Sequence, residues 1–203
     1  MPHLSLEPIV LASGSRTRLA MLEAAGLEVV AKPAPVDEDE VKRSCRADGF
    51  TSAQVAEALA ELKAMRVARN LGPVHTIGAD QMLECEGEWF DKPADRAAAR
   101  AQLLRLSGRT HKLISAVVMV HNGVRIWHHV ASASLTMRSL GEDFVDRYLD
   151  AVGDAALTSV GAYQIEGMGA QLFSRVLGEH STILGLPLLP LLDQLRVRGV
   201  LPA

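Results

Sequence analysis

Apolar positions along this chain recur in two rhythms, about 3.6 residues and two residues, and the rhythm changes several times. Ile9-Val10-Leu11-Ala12 is an unbroken apolar run that predicts a short buried strand. The turn Ser13-Gly14-Ser15 follows, then a helix over 16–25 with Leu19, Met21 and Leu22 apolar and Gly26 as its stop. Residues 28–32 predict a second strand closed by Pro33 and Pro35, and the acidic run Asp37-Glu38-Asp39-Glu40 predicts a solvated loop. Thr51 or Ser52 can cap a long helix whose Val55, Leu59 and Leu62 share one face, with Gly72-Pro73 ending it. The apolar run 74–77 predicts a strand that stops at the sheet's rim, and Glu86-Gly87 turns the hairpin after it.

Farther on, Asp95 can cap a helix to Leu106, with Gly108 beyond it. Residues 112–120 and 124–135 are long β-type runs joined by Asn122-Gly123, a strong hairpin signal. Residues 142–152 predict a helix, and Pro187 opens a final one over 188–198. Strand–helix alternation with long antiparallel hairpins predicts an α/β protein with a mixed sheet. No repeat, low-complexity tract or linker interrupts it, so residues 1–203 read as a single domain of two lobes without a separable linker.

Composition narrows the function. A formal net charge of −3 argues against nonspecific nucleic-acid binding, which leaves a basic footprint. Two Trp, two Tyr and four Phe are few for stacking on bases. No apolar run approaches the ~18 residues of a membrane span, and the first eight residues lack the basic and apolar regions of a signal peptide. Cys45 and Cys85 are lone thiols without metal-type spacing, which fits a reducing compartment. The expectation is a cytoplasmic protein without membrane or nucleic-acid partners. Lysines number five against sixteen arginines, and since the two are not interchangeable where a compact point charge is needed, each retained lysine is a candidate for such a place.

The densest chemistry lies in His75-Thr-Ile-Gly-Ala-Asp80-Gln81 and, after the hairpin, Asp91-Lys92-Pro93. Ligands of open α/β sheets bind beyond the carboxyl ends of strands, and the small Gly78 and Ala79 leave room for one to approach. A carboxylate beside a lysine there suits a metal-bound polyphosphate; the same stretch also reads as a hairpin with an exposed Asp and Lys. In the Ser13-Gly14-Ser15 turn, backbone N–H groups at a helix N-terminus form a ready anion site. Arg16 and Arg18 oppose the helix dipole there, which an incoming phosphate explains, although on this stretch alone Ser N-capping with two solvated arginines is the favoured reading. One acid of 37–40, paired with Asp80, can bind Mg²⁺, which takes one or two carboxylates plus substrate phosphates. Lys63 alone reads as an exposed helical lysine. The seven histidines form no metal set, and no Gly-x-Ser-x-Gly or Cys-x-x-Cys supports covalent catalysis. Two glycines two apart in Ala162-Tyr-Gln-Ile-Glu166-Gly-Met-Gly169 suggest tightly turned backbone.

Taken in order, these pieces resemble the Maf family of nucleoside triphosphate pyrophosphatases. The matching segments are Leu11-Ala-Ser-Gly-Ser15 with Arg18, Val36-Asp-Glu38, Lys63-Ala64, Ile77-Gly-Ala-Asp80, Lys92-Pro93, Leu106-Ser-Gly-Arg-Thr-His111, Glu166-Gly-Met-Gly169 and Leu184-Gly-Leu-Pro187. The resemblance implies a mixed twisted sheet flanked by helices around a nucleotide cleft, often dimeric and related to the inosine triphosphate pyrophosphatases. It implies metal-dependent hydrolysis, with Mg²⁺ or Mn²⁺, between the α- and β-phosphates of a nucleoside triphosphate. By the same resemblance Asp80 activates water with Glu38 as its partner at the metal. Arg18, Lys63 and Lys92 clamp the triphosphate, and Ser13 lies in the phosphate turn. Thr17, Gln81 and Glu166 stand at positions that distinguish substrates. The dTTP/UTP branch tends to carry Arg, Thr and Gln there, and the 7-methyl-GTP branch Trp, Gln and Glu. This chain matches the second branch at Gln81 and Glu166 and neither at Thr17, where no ring is available to stack on a cationic base. The alternatives are a dTTP/UTP pyrophosphatase or a nucleotide-binding regulator of cell division.

Overall fold

The computed structural model describes residues 3–203. In chain order they form β1 (Ile9–Leu11), α1 (Arg16–Ala24), β2 (Val29–Ala31), α2 (Glu38–Ala47), α3 (Ser52–Ala68), β3 (Thr76–Cys85), β4 (Glu88–Phe90) and α4 (Arg96–Leu106). There follow β5 (Thr110–His121), β6 (Val124–Met137), α5 (Glu142–Val152), three 3₁₀ turns, β7 (Phe173–Leu177), α6 (His180–Ile183) and α7 (Leu188–Val197). The strands form one mixed sheet in the order β2-β1-β3-β5-β6-β7, with β4 antiparallel to β3. β1 runs parallel to both β2 and β3. The residues group into two compact units: one comprises the chain up to Gln81 with Ile114–Ser132 and Glu179–Ala203, the other Met82–Leu113 and Ala133–Gly178.

In the first unit β1 is buried on both faces, as expected of a parallel strand covered by helices. Ile9 and Leu11 join a core with Leu22 of α1, Ile77 of β3, Val117 and Met119 of β5, and Leu191 and Leu195 of α7. Val10 and Ala12 face the other way, onto Val67 of α3. α3 opens with a capping box in which Thr51 and Gln54 each accept from the other's backbone N–H, which satisfies two otherwise unpaired donors. In the second unit α4 is tied to α5 by Arg100, whose guanidinium reaches Asp146 at 2.8 Å and Glu142 at 2.7 Å. The Asn122-Gly123 hairpin holds both turn residues at positive φ, 51° and 72°, the twist a two-residue loop requires.

Three sequence expectations need correction. The acidic run 37–40 is no loop: Asp37 caps α2, accepting from the Glu40 N–H at 2.9 Å, and Glu38, Asp39 and Glu40 fill its first turn. Acids there complement the helix dipole; α2 carries so few apolar residues that periodicity does not reveal it. The strand starting near Val74 does not stop at the rim either, since β3 continues to Cys85 and Asp80 lies within it. Nor does Gly78 leave room for a ligand. A Cβ built there would fall 2.0 Å from the Ala60 carbonyl oxygen and 2.9 Å from Ala64 N and Cβ. α3 lies directly on β3 at this point.

Gly78→Ala is therefore expected to destabilise the protein by more than the ~1–3 kcal/mol usual for overpacking, because backbone on both elements must move apart. Denaturant unfolding of the purified variant measures this. A variant of native stability would show that α3 does not press on β3.

Candidate active site

The close passage of α3 over Gly78 sets the geometry of the first unit's charged groups. Lys63, just before Ala64 on α3, is buried, and its ammonium donates to Asp80 Oδ1 at 2.6 Å. The same Nζ lies 2.5 Å from Glu38 Oε1, brought there by the first turn of α2. One ammonium thus serves two carboxylates. Asp80 itself is 4% exposed, and its second oxygen, Oδ2, is buried without a hydrogen-bond partner. Burial pushes the Asp80 carboxyl above the ordinary carboxylate range; Lys63 and then Arg18 pull it back, and Glu38 adds to the rise.

Arg18 braces this arrangement. Its Nε donates to Gly185 O at 2.8 Å, and its Nη1 donates to Ala79 O at 2.9 Å and to Ser13 Oγ at 3.2 Å. The guanidinium therefore joins the β1–α1 turn, β3 and the α6–α7 connection. Burial lowers its pKa while Asp80 and Glu38 raise it, and an arginine stays charged under such opposition. Ser13 is buried and also accepts from Ser15 N–H at 3.2 Å, while Ser15 caps α1. Arg16, two residues earlier at the start of α1, is exposed.

Gln81 Nε2 faces three oxygens at hydrogen-bond distance: Ser115 Oγ and Ile183 O at 3.0 Å, and Thr182 O at 3.1 Å. Ser115 in turn donates to Thr182 O at 2.8 Å. The donor end of the amide is spent on α6, and Oε1 is left for other contacts. A Cβ on Gly185 would sit 3.3 Å from Arg18 Nη2 and 3.6 Å from Gln81 Oε1, so glycine lets both side chains reach this turn. Thr17 is half-buried on α1 beside Arg18.

The structure thus gathers Ser13, Arg18, Glu38, Lys63, Asp80 and Gln81 within one unit. Lys92, after β4, and Glu166, in the loop before the last 3₁₀ turn, belong to the other unit and are exposed. Ser115, Thr182 and Gly185 escaped the sequence reading as site residues, although Leu184-Gly-Leu-Pro187 carries part of the signal. Among the described residues no group of three or more His, Cys, Asp or Glu could hold a metal ion, so any metal here rests on the two carboxylates. No described helix is long and apolar enough to cross a membrane.

A family model described as "Maf-like protein" matches residues 8–198. The chain belongs to the Maf-like protein family. It is 57% identical over 192 residues, 95% of this chain and 99% of the relative, to a "Nucleoside triphosphate pyrophosphatase" of Paramagnetospirillum magneticum. It is 50% identical over 195 residues, 96% of this chain and 98% of the relative, to a "7-methyl-GTP pyrophosphatase" of Mesorhizobium japonicum. Among solved structures, a HAM1 protein from Coxiella burnetii aligns with 65% of this chain and 73% of its own at 16% identity and TM-score 0.42.

The charge arrangement has a stability signature. Asp80 titrates above its unfolded value, so its contribution is fully present below the ordinary carboxylate pKa and is lost as pH rises through the folded pKa. Asp80→Asn is expected to match or exceed the wild-type Tm at pH 8, with the difference shrinking toward pH 4. Lys63→Met leaves two carboxylates without their shared ammonium and is expected to cost ~3 kcal/mol at pH 8, less in acid where Asp80 takes up a proton. Thermal melts across this range decide both, and a destabilised Asp80→Asn at pH 8 would contradict the ordering of charges.

Proposed function

We propose that this Maf-like protein hydrolyses a nucleoside triphosphate between its α- and β-phosphates, releasing the nucleoside monophosphate and pyrophosphate. The observation that carries the reading is the buried Asp80, tied to Lys63 through one oxygen and unpartnered at the other. A carboxylate whose pKa burial has raised is a better proton acceptor than an ordinary one, and Oδ2 is an acceptor lacking a donor. An attacking water fits that role. Its oxygen bonds to the α-phosphorus, its proton passes to Asp80, and the bridging bond to the β-phosphate breaks with pyrophosphate as leaving group. The relatives named nucleoside triphosphate pyrophosphatase, matched over nearly their whole length, support the same reaction.

Phosphoryl-type transfer is governed by positioning and charge neutralisation. The Ser13-Gly14-Ser15 turn at the N-terminus of α1 offers backbone donors to a phosphate. Lys63 and Arg18 neutralise charge beside Asp80, and Lys92 is proposed as a third cation of the clamp. The residues also fit a divalent cation, Mg²⁺ or Mn²⁺: the Glu38 and Asp80 carboxylates, which converge on Lys63, would hold it, a donor set of one or two carboxylates completed by substrate phosphates. When bound it supplies further neutralisation of the polyphosphate.

For the base we propose a guanine-type ring, with 7-methyl-GTP as the leading substrate. Glu166 is exposed and is proposed to accept from the neighbouring N1–H and N2–H of guanine in a charge-assisted pair. Uracil and thymine would set a carbonyl oxygen against that carboxylate. Relatives of Mesorhizobium japonicum and Rhizobium meliloti named 7-methyl-GTP pyrophosphatase, 50% and 47% identical, support this choice. Gln81, its donors held by α6, contributes only through Oε1.

Three measurements test these proposals. With Mg²⁺ or Mn²⁺ present, pyrophosphate is the expected first product, and orthophosphate with a nucleoside diphosphate would overturn the reaction. Asp80→Asn is expected to lose turnover by ~10²-fold or more, the scale of a lost general base. Among 7-methyl-GTP, GTP, UTP and dTTP, the purine substrates are expected to have the higher kcat/KM, and Glu166→Gln to compress that ranking. A wild-type preference for UTP or dTTP would refute the base assignment.

A further inference from the structure

His111, which ends one sequence motif, and Tyr163, near the start of the Ala162–Gly169 motif, carry no role in the chemistry above, yet they meet in the interior of the second unit. His111 of β5 and Tyr163 are 1% and 5% exposed, and His111 Nε2 lies 2.7 Å from Tyr163 Oη. The other imidazole nitrogen, Nδ1, is buried without a partner. The Phe173 ring packs edge-on against Tyr163 with centroids 4.8 Å apart, and lies 5.9 Å from the His111 ring. In surroundings this apolar, replacing both polar partners by apolar groups of the same shape is nearly neutral for stability. The bond therefore contributes direction more than energy: it fixes where the tip of the Tyr163 ring sits relative to a strand of the sheet.

That position matters because of the backbone on either side. Gly161 and Ala162 both hold positive φ, 79° and 61°, and for alanine this conformation is strained. A Cβ on Gly161 would fall 2.6 Å from the Tyr163 ring, so the ring lies directly on the turn. Ser159 Oγ donates to Tyr163 O at 2.7 Å. The next residue, Gln164, carries the loop: Gly167 N–H donates to Gln164 O at 3.2 Å. Gly169 packs so tightly on the Gln164 backbone that a Cβ would meet its carbonyl oxygen at 2.4 Å. Glu166 stands exposed within this loop.

We infer that His111 is a positioning residue for substrate recognition: through Tyr163 it fixes the Gln164–Gly169 loop in the register that presents the Glu166 carboxylate to the base. The inference rests on the reading of Glu166 given above. Burial drives His111 down to about 4, so the ring is neutral at physiological pH, and it pushes the Tyr163 hydroxyl up, so the phenol keeps its proton. The pair is a neutral hydrogen bond across the working range and shifts the loop by its geometry alone.

The test uses His111→Phe, Tyr163→Phe, the double variant and His111→Gln, each assayed with 7-methyl-GTP, GTP and UTP. The two single Phe variants are expected to raise KM for the preferred base by about tenfold with kcat within about twofold, since a displaced contact costs binding before chemistry. The purine-to-pyrimidine ratio of kcat/KM should fall in both, the double variant should be no worse than either single, and His111→Gln, which keeps a hydrogen-bonding group, should recover part of the ratio. Tyr163→Phe loses one oxygen and keeps its volume, so it remains informative where His111→Phe folds poorly. An unchanged ratio in Tyr163→Phe, or a lower Tm without a change in KM, overturns the positioning role. Glu166→Gln run alongside separates the two readings. A changed ratio there with none in the Phe variants removes His111 alone; no change in Glu166→Gln removes Glu166 as the reader of the base.

Discussion

The ammonium of Lys63, held within 2.6 Å of both Glu38 and Asp80, is the interaction on which the rest of the candidate site depends. The buried Asp80 loses hydration and is repelled by the half-exposed Glu38 beside it; one shared cation makes the arrangement tolerable. Its position follows from packing. α3 can lie on β3 only because Gly78 has no side chain, and Lys63 is carried to Asp80 by that contact. Glu38 arrives because Asp37 starts a helix there instead of a loop. Arg18 completes the set by bracing three separate chain segments around Ala79 and Gly185. The outcome is a carboxylate with one satisfied oxygen, one buried and unpartnered oxygen and a raised pKa, the features on which the proposed role as proton acceptor rests.

Much of this was legible in the sequence. Residue types marked Asp80 and the Ser13 turn with Arg18, the resemblance to the Maf family added Glu38 and Lys63, and the fold class followed from alternating strand and helix patterns with an Asn-Gly hairpin. What could not be read has physical causes. A strand interrupted by Gly-Ala-Asp-Gln loses its apolar rhythm although it continues to Cys85. A polar helix such as α2 gives no periodic signal and is betrayed only by its cap and first-turn acids. Small residues at 78 and 79 announce close approach without saying whether a helix or a ligand comes near. Lys63 looks like any surface lysine until its neighbour Ala64 is seen against a glycine. The pairing of His111 with Tyr163, fifty-two residues apart, is a tertiary fact with no local trace.

The two units show different electrostatic character. The first keeps a charged cluster in which the buried Asp80 and Arg18 shift each other's protonation, with Glu38 acting on both. The second keeps a neutral buried hydrogen bond beside a strained turn, insensitive to pH near neutrality. A charged cluster can tune proton affinity, which the proposed hydrolysis needs; a neutral directional bond can hold a loop still, which the proposed role of Glu166 needs.

The central claim is that Asp80 is a buried carboxylate whose raised pKa is held in check by Lys63. Carbon-13 NMR titration of aspartate side chains, with Asp80 assigned by comparison with Asp80→Asn, measures this in the metal-free protein. The account predicts an apparent pKa above the ordinary ~3.9 in wild type and a further rise in Lys63→Met. An Asp80 resonance that titrates at the ordinary value, or one that does not move when Lys63 is removed, would contradict it.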